Sequence, residues 1–129
     1  MPTGPSTMLS VPFDEAVAAT RAALADEGFG VLTEIDMQAT MKNKLGEEYP
    51  PLVILGACNP GFAHRAMGVT SEVATLLPCN VVLRQTAEGV SVETIDPQML
   101  VQVTNEDRLA PLAQDLREKL DRVFAALTR

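Results

Sequence analysis

A chain of 129 residues with 47% hydrophobic and 21% charged side chains has enough material for one buried core and too little for two ordinary ones. The net charge of −7 and pI near 4.6 oppose binding to phosphate backbones, and the absence of Trp with a single Tyr leaves little to stack on bases, so nucleic acid is set aside as a partner. No apolar run reaches the roughly 20 residues of a bilayer span, and Met1-Pro2-Thr3-Gly4-Pro5-Ser6 lacks the features of an export signal, so no membrane partner and a cytoplasmic location are expected.

Residues 1–4 read as a flexible lead-in to a single domain covering 1–129, and Ser6 to Val11 as a short first strand. Phe13 to Glu27 reads as a helix. Phe13, Ala16, Val17, Thr20, Ala23 and Leu24 share one side, Asp14 and Glu15 put negative charge in the first turn, and Gly28 supplies the stop. The β-formers from Phe29 to Ile35 then return the chain as a strand. Asp36 is placed to cap a short helix over 37–45, in which Met37, Met41 and Leu45 repeat every four residues and which Gly46 ends. Such a stripe belongs to a core or to a dimer surface, with Lys42 and Lys44 in solvent. Tyr49-Pro50-Pro51 straightens the chain into a strand from Leu52 to Ala57. That strand does not alternate, which predicts cover on both faces, either as a central strand or as one overlaid by a partner.

At Cys58 the pattern changes. Asn59 is a favoured N-cap and Pro60 a favoured first helical residue, so a helix over 60–67 follows, with Gly68 as its end. Phe62, Ala63, Ala66 and Met67 form its buried side, and His64 with Arg65 its polar flank. Pro78 marks a turn, Cys79 opens a strand running to Gln85, Glu88-Gly89 signals a hairpin, and Val90 to Ile95 alternates as its second arm. If the strands ending at Cys58 and starting at Cys79 are antiparallel neighbours, both cysteines lie at one end of the sheet. Asp96-Pro97 ends the hairpin, and Met99 to Val103 fits either loop or edge strand. Asn105, Glu106 and Asp107 announce the last helix, whose stripe runs from Leu109 to Leu127. Pro111 would cost about 3 kcal/mol in its interior, so a first turn and then a restart are expected there.

The segments Gly28-Phe29, Glu34-Ile35-Asp36, Ile54 to Pro60, Leu76 to Val82 and Asp96-Pro97-Gln98-Met99, in that order, resemble the domain-of-unknown-function family 302 (DUF302) over nearly the whole chain. The resemblance implies an α+β fold of order β-α-β-β-β-β-α, similar to the TATA-binding-protein architecture, and a homodimer. The sheet is expected to be mainly antiparallel and covered by the two longer helices, with short helices at 37–45 and 60–67. The resemblance implies no activity, substrate or cofactor.

Function therefore has to be sought in the segment holding both cysteines and the single histidine. Cys58 stands just ahead of a helix N-terminus, where free N–H groups and the helix dipole favour negative charge. Three readings follow. In the first, Cys58, Asn59 and Pro60 with Pro78 and Cys79 form a small pocket for an anionic or thiol-reactive metabolite in a binding or interaction module. In the second, Cys58 is a low-pKa thiol and Cys79 its resolving partner, although no Cys-x-x-Cys motif is present. In the third, Cys58, Cys79 and His64 hold a soft metal, leaving a fourth ligand to a dimer mate or water. The bland alternative is two cysteines packed as small apolar side chains beside a turn. No Walker loop, Rossmann fingerprint, Gly-x-Ser-x-Gly or His-Glu-x-x-His occurs, and a lone His64 is a weak case for a catalytic base.

Overall fold

In the computed structural model, which describes residues 4–128, the element order is β1 (Ser6–Leu9), α1 (Phe13–Asp26), β2 (Gly30–Asp36), α2 (Met37–Leu45), β3 (Leu52–Cys58), α3 (Pro60–Val69), β4 (Cys79–Thr86), β5 (Gly89–Glu93), α4 (Gln98–Thr104) and α5 (Ala110–Leu127). Apart from Gly4, the lead-in expected at 1–4 lies outside the described residues. From there inward the segment is tied down, because the Pro5 carbonyl accepts a hydrogen bond from the Thr94 N–H at 3.1 Å.

The five strands form one antiparallel sheet in the order β1-β5-β4-β3-β2. Alternation along β4 and β5 separates its faces: Val81 and Leu83, then Val90 and Val92, are fully buried on one side. Against them pack Leu24 of α1 and Leu116, Leu120 and Val123 of α5, each also inaccessible. The α5 stripe read from the sequence is this core. Pro111 falls in the first turn of α5, where its missing N–H leaves no broken bond, and a 3-10 turn over Asp107–Leu109 precedes it.

The second face carries Met8, Ile54, Val82 and Ser91, with Arg84 and Glu93 forming an ion pair across β4 and β5. Met8 is exposed, and Ile54, Val82 and Ser91 are half-buried. The strand Leu52–Cys58 is thus interior to the sheet, as its composition predicts, with Val53, Leu55 and Ala57 under the helices and Leu52 and Ile54 only partly covered.

Four readings need correction. Met67, expected on the buried side of α3, is 45% exposed, leaving Phe62, Ala63 and Ala66 as that side. Met99–Val103 is neither loop nor strand but lies within α4. Its β-branched residues suggested extension, yet the Asp96 carboxylate accepts from the Gln98 N–H at 2.9 Å, Leu100 reaches the core, and Thr104 Oγ1 bonds back to the Leu100 carbonyl at 2.6 Å. Gly68 does not stop α3, which continues to Val69 before Thr70 turns extended. The first strand ends at Leu9, short of Val11. The two-residue connection before Gly89 does match the hairpin signal. Gly89 has φ of 144°, and a Cβ there would stand 2.6 Å from the Leu9 carbonyl oxygen, so glycine is what lets β1 approach β5.

Candidate functional site

The site begins with the strand pairing. β3 and β4 run antiparallel with Ala57 opposite Cys79, which brings the end of one and the start of the other to the same edge of the sheet. The geometric expectation for the two cysteines therefore holds, with one qualification that decides their chemistry. Cys79 faces Ala57, not Cys58, and Cys58 faces Gly30 of β2 on its other side. Residues directly opposite in a ladder share a face and successive residues alternate, so this one-residue stagger sends the two thiols toward opposite faces of the sheet. Both cysteines are free thiols and partly buried. A Cys58–Cys79 disulfide would require the register to slip or the strand end to peel away.

The helix start beside Cys58 forms as its sequence dictates. Asn59 is the N-cap in an extended conformation, its Oδ1 accepting from the Phe62 N–H at 3.1 Å, while its carbonyl accepts from Ala63 N–H at 2.9 Å. Its Nδ2 donates to the Glu27 carbonyl at 3.4 Å, so one side chain joins the start of α3 to the end of α1. Pro60 has no N–H, and the bonds to Asn59 use those of Phe62 and Ala63. Gly61 is the residue of the first turn whose N–H these bonds leave over. Asn59→Ala should lose about 1 to 2 kcal/mol of stability, read as a lower urea midpoint with an unchanged m-value. Asn59→Asp, which retains the cap and loses only the tie to Glu27, should lose less.

On the face of the sheet opposite the helices, the same edge is sealed. A Cβ on Gly56 would collide with Thr33 Oγ1 and come within 3.0 Å of Pro78 Cγ, so Thr33 and Pro78 lie directly over bare backbone. Thr33 occupies that place because β2 bulges between Val31 and Thr33, setting Leu32 outward at 66% exposure.

Cys79 lies in a different setting. Burial, and secondarily the nearby Cys58, push its thiol up from 9.0 to about 11. It is a neutral thiol at physiological pH, the opposite of an activated one. The difference amounts to roughly a hundredfold less thiolate near neutrality, and site-resolved alkylation of Cys79 should lag a model thiol by about that factor. The linkage has a definite sign. Because the unfolded chain releases this proton first, the contribution to stability is complete below about pH 9 and is lost as pH rises through about 11.

His64 is exposed on α3, and its neighbour Arg65 pairs with Asp115 of α5 at 3.5 Å. Among the described residues no group of three or more His, Cys, Asp or Glu side chains is placed to hold a metal ion, so Cys58, Cys79 and His64 do not make a ligand set. Pro78 and Cys79, by contrast, border a cavity of about 100 Å³ whose other walls include Leu76, Ile95, Pro97 and Leu100. None of those four was singled out from the sequence as a site residue. Asp96-Pro97 ends the hairpin and opens the last segment that carries the family resemblance, and reading Met99–Val103 as loop or edge strand hid the helix that points Leu100 inward.

The solved structure of an uncharacterized DUF302 protein from Bacillus stearothermophilus aligns with a TM-score of 0.89 and 28% identity, covering 95% of this chain and 96% of the other. No protein of curated function matches the sequence. The family model for the domain of unknown function DUF302 matches residues 6–127, from the first residue of β1 to the last of α5, and the chain belongs to that family.

Proposed function

We propose that this protein is a homodimeric binding and interaction module, with a small-ligand locus at the sheet edge where β3 ends and β4 begins. The observation that carries the reading is α2. No side chain of this nine-residue helix is fully buried: Met37, Thr40 and Met41 are half-covered and Leu45 is 68% exposed. Helices shorter than about 12 residues are marginal in water without a packed face, so a second copy laid against it supplies what the monomer lacks. The neighbouring β2 adds Leu32 and Ile35, also exposed, on the edge of the sheet. The thiol-redox reading draws no support from a stagger that turns the two cysteines apart and leaves Cys79 neutral.

Sedimentation equilibrium tests the dimer. The wild-type chain should run at twice the monomer mass at micromolar concentrations, and Ile35→Glu or Leu45→Glu should shift it to monomer while circular dichroism stays unchanged. A wild-type monomer, or a dimer indifferent to both substitutions, would remove the reading.

A further inference from the structure

Two separated stretches that carry the family resemblance, Leu76-Leu77-Pro78-Cys79-Asn80 and Asp96-Pro97-Gln98-Met99, converge on one feature of the fold. The first supplies Leu76, Pro78 and Cys79 to the cavity of about 100 Å³, and the second, with the residues on either side of it, supplies Ile95, Pro97 and Leu100. Asn80, exposed, completes the rim.

The walls are held in place from behind. Asp96, between two wall residues, turns its carboxylate away from the cavity. One oxygen caps α4 through Gln98 N–H at 2.9 Å and the other accepts from Arg117 Nη1 of α5 at 2.7 Å. Thr94 Oγ1 donates to the Asn80 carbonyl at 2.7 Å, satisfying a backbone acceptor at the rim. Pro97 and Leu100 are buried. Apart from the Asn80 amide at the rim, the side chains lining the cavity are aliphatic carbon, two proline rings and one thiol, with no charged side chain among them.

We infer that this cavity is a binding site for a small uncharged, apolar molecule. The inference deepens the binding-module reading above and rests on it, replacing an anion at the Asn59-Pro60 helix start with an apolar ligand beside Cys79. A carboxylate or phosphate entering here would surrender its hydration without meeting a cation, at a cost of several kcal/mol. An apolar ligand surrenders nothing, and a thiol is among the least polar groups that can line such a space. At about 30 Å³ per water in the liquid, the volume matches about three waters, somewhat below the apolar cavity of about 150 Å³ known to take up xenon or benzene.

Xenon is therefore the probe, read by amide shifts in 15N-labelled protein, with inorganic phosphate in a parallel titration. Xenon should move the amides of Cys79, Asn80 and Leu100 saturably, and phosphate should leave them in place. Ile95→Phe, at a half-exposed wall position that tolerates a larger side chain, and Cys79→Met should each fill the space and weaken the xenon response at least tenfold, with the remaining spectrum retained. The inference is overturned if xenon leaves those amides unmoved, if both filled variants respond like the wild type, or if phosphate shifts them. Sedimentation of the same samples separates the two claims. A monomer that still takes up xenon removes the dimeric module and leaves the cavity site standing, whereas a dimer without xenon uptake does the reverse.

Discussion

Phe62→Ala should lower the free energy of unfolding by about 3 to 5 kcal/mol, a large share of the 5 to 15 kcal/mol that holds a domain folded. Phe62 is 3% exposed and is the largest side chain on the buried side of α3, which it shares with Ala63 and Ala66. Two alanines cannot close over the void that the lost ring leaves, so the transfer and cavity terms add. The backbone N–H at position 62, donor to the Asn59 cap, is retained in the alanine variant, so the loss comes from side-chain packing and not from the cap. Urea denaturation followed by far-UV circular dichroism measures the effect, and native-state hydrogen exchange locates it. A loss below about 1 kcal/mol would mean that α3 is not anchored by this ring and that the Asn59 cap alone holds the site's edge.

Leu55→Ala is the second large effect, about 2 to 5 kcal/mol. Leu55 is fully inaccessible at the middle of β3, with Glu34 opposite on β2 and Val81 opposite on β4. Neighbouring strands on both sides keep the backbone from collapsing into the space, which places the cost toward the upper part of that range. Ile54→Ala on the next residue is the informative control. Its side chain points to the face that the helices leave open and is only half-buried within the chain. If the chain dimerises over that face, Ile54→Ala should weaken association along with folding, and its cost should depend on protein concentration while that of Leu55→Ala depends on it less. Equal, concentration-independent losses for the two would count against a partner on this face.

Local chemistry was legible wherever one residue decides one feature. Asp36 caps α2 through the Ala39 N–H at 2.9 Å, Asn59 caps α3, Pro60 begins it, Pro111 sits in the first turn of α5, and Gly89 closes the hairpin. The long stripe of α5 and the alternation of β5 fixed what is buried, because a period in the sequence becomes a face in space. The misreadings arose where local preference and tertiary contact disagree. Met99–Val103 carries β-branched residues, yet the Asp96 cap and the burial of Leu100 make it a helix. The stripe Met37, Met41 and Leu45 has helical spacing, and spacing alone cannot say whether anything lies against it.

The sequence by itself determined the α+β class, the family and the order of the elements other than α4, and it placed Cys58 and Cys79 at one edge of the sheet only on the condition that their strands pair antiparallel. Only the tertiary structure decided what those cysteines are. Register is a relation between strands, and placing Cys79 opposite Ala57 turns the two thiols apart, a one-residue matter that no local pattern encodes. Burial is likewise set by distant chain: it keeps the Cys79 thiol neutral, and the cavity beside that thiol is shared with Pro97 and Leu100 from a stretch some twenty residues further on. The Asn59-Pro60 helix start, the clearest local signal in the sequence, caps α3 and joins it to the end of α1.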